Sequence, residues 1–288
     1  MANIKIITDS AADIPAALLE QYPIQVLPFP MVVDNKEYLD GVDLPPQEFY
    51  AMLTAAKTIP THSQLTAFYF SEIYADAFAQ GYDELIYTCI NAKSSATYQN
   101  ALQAIDLFYE EHPDAQGKCR ITVLDAATYT MAYGFIVAEA AKAVQNGASC
   151  DEVIALIQDW LDHVGILFTP YDLKFAKKSG RVRAAAAIVG DTLGIRPIMA
   201  FPGGDSKVIS KVRGDKAVIP AILKLVKKER KAGTPYLQIK GSYEPWNEEM
   251  AAACTEVLGE APVLSYYIGG VISINAGPNV TGLIYYKQ

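Results

Sequence analysis

The stretch Asn91-Ala92-Lys93-Ser94-Ser95-Ala96-Thr97-Tyr98-Gln99 places a cluster of hydroxyls directly after an apolar run, Leu85 to Ile90, and at the opening of a helical pattern. A strand that ends this way can hold an anion. Free backbone N–H groups and the positive end of the helix dipole point there, and Ser95 and Thr97 add donors without adding charge. That chemistry suits a carboxylate or a phosphate. The same residues also allow a structural role, with Ser94 or Ser95 as an N-cap and Tyr98 packed inward, so other segments have to decide. Thr8-Asp9-Ser10, and Asp125 with Thr128 and Thr130, make two further polar strand ends. Of the three histidines, His112 lies in the turn Glu111-His112-Pro113-Asp114 and His163 ends a helical pattern, which leaves His62, beside Ser63, as the one placed for chemistry.

These residues need a scaffold, and the first half of the chain supplies an alternation of strands and helices. Strands are expected at Ile4 to Thr8, Gln25 to Val33, Leu85 to Ile90 and Ile121 to Leu124, and helices at Pro15 to Gln21, Tyr98 to Glu110 and Ala132 to Gln145. The rhythm implies a mostly parallel sheet flanked by helices, with Rossmann-like topology and ligands at the carboxyl ends of its strands. Asp151 to His163 reads as an amphipathic helix bridging to a second domain. Beyond it, strands are expected at Ile166 to Phe168, Arg196 to Phe201, Lys207 to Val212, Tyr236 to Gly241 and Gly270 to Ile274, with helices at Tyr171 to Lys178, Ala217 to Lys231 and Trp246 to Leu258. The expected protein is therefore α/β with two domains: residues 1–163 carrying the anion-binding loops, and a mixed α/β domain, residues 164–288.

With 288 residues and a net charge of −8, the chain has room for two cores and no basic stripe for nucleic acid. Lys224, Lys227, Lys228, Arg230 and Lys231 fall on the expected solvent face of a helix and read as solubilising, or at most as part of a protein-docking face. The start, Met1-Ala2-Asn3-Ile4-Lys5-Ile6-Ile7, lacks a secretory signal and no apolar run is long enough to span a bilayer, so a cytoplasmic protein without stable membrane insertion is expected. Cys89, Cys119, Cys150 and Cys254 are scattered without metal spacing. There is no Walker loop, no GxGxxG after the first strand and no HExxH pair. No metal and no cofactor are expected.

Several motifs taken in order resemble the DegV family of bacterial fatty-acid-binding proteins, which includes the lipid-carrying FakB subunit of fatty acid kinase. Ile6-Ile7-Thr8-Asp9-Ser10-Ala11-Ala12-Asp13-Ile14-Pro15 is similar to the family's opening strand and Asp-Ser turn, followed by Tyr38-Leu39-Asp40-Gly41-Val42-Asp43. Ser95-Ala96-Thr97-Tyr98-Gln99 resembles its Ser-Gly-Thr-Tyr-Gln, and Asp125 to Gly134 its Asp-Ser segment and Ser/Gly-rich helix start. Lys177-Lys178-Ser179-Gly180-Arg181, Leu193-Gly194-Ile195-Arg196-Pro197-Ile198 and Lys211-Val212-Arg213 resemble its Lys-Lys-Gly-Gly-Arg turn, its Leu-Asn-Ile-Lys-Pro-Ile strand entry and its basic strand end. Two departures fall where the family holds its ligand. Thr-Ser-Gln-Pro appears as His62-Ser63-Gln64-Leu65, and His-x-Gly-Pro-Gly as Asn275-Ala276-Gly277-Pro278-Asn279.

The resemblance implies a non-catalytic carrier that binds a long-chain fatty acid, with the carboxylate at the interdomain surface and the chain buried, for presentation to a separate, FakA-like fatty acid kinase. It assigns the carboxylate to His62, Ser63, Ser95, Thr97 and Asn275, with His62 supplying the donor that Asn275 no longer provides as an imidazole. Arg181 and Arg213 are candidates for contact with the phosphoryl group or the partner, or for surface ion pairs. Ala184 to Val189, Leu193, Ile195, Ile198, Met199, Phe201 and Val271 to Ile274 are material for an apolar tunnel or for an ordinary core. Two other readings stay open: a serine hydrolase using Ser95 or Ser63 with His62, which lacks a Gly-x-Ser-x-Gly elbow, and a protein binding a phosphorylated metabolite through the same hydroxyls.

Overall fold

The chain opens with β1 (Ile4–Asp9), α1 (Ala16–Gln21) and β2 (Ile24–Leu27), then runs through β3 (Pro30–Val33), β4 (Lys36–Leu39), α2 (Pro46–Ala55) and β5 (Thr61–His62). It continues as α3 (Ala67–Ala79), β6 (Glu84–Cys89), α4 (Thr97–Glu111), β7 (Arg120–Asp125), α5 (Met131–Gln145) and α6 (Cys150–His163). The remainder is β8 (Val164–Pro170), α7 (Leu173–Ser179), α8 (Arg183–Ala186), β9 (Ile195–Ala200), β10 (Lys207–Arg213), α9 (Val218–Glu229), β11 (Tyr236–Lys240), α10 (Glu244–Leu258), β12 (Leu264–Tyr267), α11 (Gly270–Ala276) and β13 (Val280–Tyr286). This computed structural model describes residues 3–186 and 194–288, apart from the side chains of 185 and 186.

Two compact units result: Met1–Pro30 with His62–Asp162, and Met31–Thr61 with His163–Gln288. This differs from the expected contiguous domains, because residues 31–61 leave the first half of the chain and belong to the second unit. The cause is local. The single strand expected over Gln25 to Val33 is interrupted at Pro28-Phe29-Pro30, where two prolines remove ladder donors. β2 therefore ends in one sheet and β3 starts another, of order β4-β3-β5.

The first unit carries a four-stranded sheet of order β2-β1-β6-β7, parallel throughout. Ile6, Ile7, Leu85, Ile86 and Tyr87 are all buried, the continuous apolar run that a strand covered on both faces requires. α4 buries Ala101, Ala104 and Phe108, and α6 buries Val153, Ile157 and Trp160, each at helical spacing.

The second unit carries a six-stranded mixed sheet of order β10-β9-β8-β13-β11-β12, in which only β11 and β12 run parallel. One face packs Leu167, Ile198, Leu283 and Tyr285 against Val218, Ile222 and Val226 of α9 and Met250 and Cys254 of α10. Ile198, a tunnel candidate from sequence, is thus part of an ordinary core.

Two expectations are corrected here. Gly270 to Ile274 is the helix α11 and not a strand, because its first amide, Gly270 N–H, donates to the buried Asp40 carboxylate at 2.9 Å and so finds a helix-start acceptor outside its own segment. Arg230 is not on the solvent face of α9. It is 8 % exposed, pairs with Glu260 at 2.7 Å, lies 4.5 Å over the Tyr236 ring and donates to the Thr234 carbonyl. Among the described residues no helix is long and apolar enough to cross a membrane.

Candidate functional site

The β6–α4 connection is built to present hydroxyls. α4 starts at Thr97 with Ala96 in the N-cap position and no side-chain cap there, so the expected N-cap role of Ser94 or Ser95 shifts by a residue or two. Ser94 Oγ donates to the Asn91 carbonyl at 3.1 Å. Ser95 Oγ instead accepts from the Thr97 amide at 3.3 Å and donates to Thr97 Oγ1 at 2.8 Å. Thr97 is buried and Ser95 is half-buried above it. The pair is a short hydroxyl relay at the positive end of a 15-residue helix.

Carboxylates from neighbouring strands hold that connection in place. Asp125, at the end of β7, accepts from the amides of Ala92 at 2.9 Å and Ala127 at 2.8 Å through one oxygen, tying the segment after β6 to the segment after β7. The buried Asn91 strengthens the tie: its N–H donates to the Thr128 carbonyl at 3.2 Å and its amide to the Tyr129 hydroxyl at 2.8 Å. Thr130 adopts φ 56°, a strained value for a β-branched residue, and its hydroxyl donates to Asp13 at 2.6 Å.

Asp9, at the end of β1, is fully buried. Its oxygens accept from Tyr133 at 2.6 Å, Tyr87 at 3.0 Å and the Ile90 amide at 2.9 Å, and the Ala11 amide also donates to it. Burial pushes its carboxyl up to about 6, against the pull of these four donors. The three polar strand ends singled out in the sequence therefore meet at one edge of the first unit's sheet. The roles of Tyr87 and Tyr133 escaped the sequence reading. A tyrosine inside the aliphatic run Leu85-Ile86-Tyr87 was the available signal, since a buried phenol needs a hydrogen-bond partner.

His62 and Ser63 sit at the end of β5, where the Ser63 amide donates to the Pro30 carbonyl at 3.0 Å. His62 is half-buried with its ring edge toward Phe29, centroids 6.3 Å apart, and Ser63 is exposed. Asn100 of α4 donates to the Leu65 carbonyl at 2.6 Å, which ties this segment to the helix that carries Thr97.

The remaining candidates belong to the second unit. Asn275 lies in the last turn of α11 and one amide N–H donates to the Val271 carbonyl at 2.7 Å, so that hydrogen is committed within the helix. Ser179, at the end of α7, donates to the Asn275 carbonyl at 3.4 Å. Gly180 takes φ 71° to end α7, and the exposed Arg181 folds back to donate to the Ser179 carbonyl at 2.8 Å. Arg213 is the exposed last residue of β10. Of the tunnel candidates, Met199 is buried and Phe201 stacks on Phe168 with centroids 5.2 Å apart, and Val271 and Ile274 are buried in α11. Residues 187–189 and 193 lie outside the described residues. Within this unit a cleft of about 470 Å³ is lined by Tyr50, Ala51 and Thr54 of α2 with Ser242, Glu244 and Tyr267 at the carboxyl ends of β11 and β12.

Residues 3–288 match the model of the family described as "Uncharacterised protein, DegV family". The chain belongs to the DegV family. A DegV domain-containing protein of Caldanaerobacter subterraneus is 31 % identical over 294 residues, covering all of both chains. Among solved structures, a DegV family protein from Thermus thermophilus, described for its fatty acid binding, is 25 % identical, with a TM-score of 0.83 over 99 % of this chain and 100 % of its own. A stearic acid-binding protein from Eubacterium ventriosum shares the fold with a TM-score of 0.87, covering 100 % of this chain and 98 % of its own, at 21 % identity. In this DegV chain the hydroxyl relay, its carboxylate supports and the His62–Ser63 strand end all lie in the first unit.

Proposed function

We propose that the protein binds a long-chain fatty acid and presents its carboxylate to a separate fatty acid kinase for acyl phosphate formation. One observation carries the binding half of this reading: the Thermus thermophilus relative, alike over nearly its whole length at 25 % identity, is described as a fatty acid binder. The first unit's chemistry supports it. The Ser95–Thr97 pair, in which Ser95 donates to Thr97, leaves the outer hydroxyl hydrogen as an uncharged donor at a helix start, and Ser63 and His62 add two more from a strand end. Uncharged donors orient an acid without trapping it. Burying about fifteen methylenes contributes roughly 12 kcal/mol gross, against about 1.5–3 kcal/mol for each hydrogen bond to the charged head. The chain provides affinity and the head provides direction.

Asn275, whose side-chain amide also donates to the Val271 carbonyl, is assigned to the carboxylate by its place in the family's motif. Arg181 and Arg213 are assigned to the phosphoryl group or the kinase. Residues 173–213 hold nine Lys and Arg against two Asp in a chain of net charge −8, a local excess that favours an anionic partner. The protein itself catalyses nothing in this scheme. Ser95 gives its hydroxyl hydrogen to Thr97 and not to a base, which speaks against the esterase alternative.

Mass spectrometry of the purified protein tests the reading, with co-purified fatty acid expected and hydrolysis of a chromogenic ester counting against it. Arg213→Glu should lower acyl phosphate formation in the presence of kinase and ATP while leaving fatty acid affinity intact. Equal loss of both would reject the docking role.

A further inference from the structure

Asp9 is a buried acid with no part in the ligand contacts just assigned, yet it accepts from four donors. Tyr87 reaches it from β6, Tyr133 from α5 and the Ile90 amide from the first residue after β6. These three come from the two elements that flank β1 in the sheet and above it, so the carboxylate is the common anchor of both. Ile90 is also where the chain leaves the sheet toward Ser95, seven positions before α4 starts at Thr97. The segment between is tied to its neighbours by the Ala92 amide on Asp125 and by Asn91 on residues 128 and 129, and the Lys93 and Ser94 amides close back onto Asn91.

We propose that Asp9 is the positioning residue of the hydroxyl pair: its carboxylate, held by Tyr87, Tyr133 and the Ile90 amide, sets where residues 90–96 leave the sheet and so where Ser95 and Thr97 present their donors. The inference rests on the fatty acid reading for its consequence in affinity, but not for its consequence in loop order. An ionised carboxylate is acceptor-only and can serve all four donors. A protonated one turns an acceptor into a donor, and one of the four loses its partner in a fully buried site. The groups that face Asp9 are Tyr87 and Cys89 on β6 and Tyr133 on α5, with Asp13 beyond the turn and Asp125 on β7 acting on their neighbours. Burial and the negative charges around them push the phenols and the Cys89 thiol up, so Asp9 is the member of the cluster that changes charge on mild acidification.

Amide hydrogen exchange on the full chain without ligand, corrected for intrinsic rates, tests the positioning directly. In the wild type, protection of residues 90–96 should fall as pH drops through about 6. Asp9→Asn should raise exchange there about tenfold at pH 7.5, the rate counterpart of about 1.4 kcal/mol, without changing α10. Tyr133→Phe removes a donor that favours the ionised form, and should move the onset to higher pH. At pH 7.5, where Asp9 is ionised, Asp9→Asn should also weaken binding of a fluorescent fatty acid about tenfold. Wild-type exchange in a folded Asp9→Asn, or an onset unmoved in Tyr133→Phe, would overturn the inference. If Asp9→Asn does not fold, the Tyr133→Phe onset decides. Loss of protection on schedule in a protein that binds no fatty acid would uphold Asp9 as the anchor and reject the ligand.

Discussion

Gly134 sets two physical effects of opposite sign against each other. It is the fourth residue of α5, and replacing a helical glycine by alanine stabilises by up to about 1 kcal/mol through backbone entropy. Yet a Cβ at this position would lie 2.2 Å from the Ala12 carbonyl oxygen, 3.1 Å from its carbon and 2.9 Å from Met131 Sδ. The sulfur belongs to a flexible side chain and can move. The carbonyl belongs to a turn whose residues Ala11 and Ala12 are fully buried, and it cannot move without shifting β1's end. Overpacking of this kind costs roughly 1–3 kcal/mol, and a backbone clash more than 1 Å inside normal contact falls at the upper end. Gly134→Ala should therefore destabilise by about 2 kcal/mol net, lowering a urea midpoint by about 1 M at a slope of about 2 kcal/mol/M. Trp160 reports the change, since its indole N–H donates to the Ala132 carbonyl at 2.7 Å and its ring lies 4.9 Å from Phe135 of α5. Trp246→Phe, in the other unit, leaves Trp160 as the single tryptophan. A Gly134→Ala protein as stable as its parent, or about 1 kcal/mol more stable, would refute the claim that close approach and not propensity governs this helix.

Other outcomes follow from buried charges. Arg230→Ala should cost about 2–3 kcal/mol, less than a fully buried pair because Glu260 stays half-exposed, while Lys228→Ala on the same helix end should stay within about 0.5 kcal/mol; equal effects in urea unfolding would contradict the burial of Arg230. Asp40→Ala leaves the Gly270 amide without its acceptor and should cost about 1–3 kcal/mol, with Asp40→Asn recovering part of the loss through its amide oxygen. Asp9 gives stability an unusual slope with pH. Its folded value of about 6 lies above the ordinary 3.8, so between these the folded chain keeps a proton that the unfolded chain releases. Stability to global unfolding, which carries Asp9 into water as loosening of residues 90–96 does not, should fall as pH rises through that window, by about 3 kcal/mol relative to Asp9→Asn, and a wild-type slope parallel to the variant's would count against a raised value.

The parallel strands and amphipathic helices of the first unit are legible because each announces itself locally: Leu85-Ile86-Tyr87 as a run buried on both faces, Val153, Ile157 and Trp160 as a helical stripe. The central strand β13 is not, because Gly282 breaks its apolar run. That glycine is there for packing, since a Cβ would meet the Leu167 carbonyl oxygen at 2.5 Å. α11 reads as a strand because five residues of mixed apolar character carry no usable period, and the acid that satisfies its first amide lies 230 positions away in sequence. The same distance explains the site. Ser95 and Thr97 are visible as hydroxyls after a strand, but the anchor formed by Asp9 and Tyr133 joins residues 124 apart. Arg230 misleads for a related reason: a basic run on a helix implies one solvated face, and only the packed partner Tyr236 shows that the last turn points inward.

The most direct measurement is titration of a long-chain fatty acid into the delipidated protein, alongside Ser95→Ala with Thr97→Val. The account predicts one tightly bound acid per chain, with affinity falling about tenfold or more in the double variant as charge-assisted donors are lost. Failure of the wild type to bind any long-chain acid, or binding that ignores both hydroxyls, would contradict it.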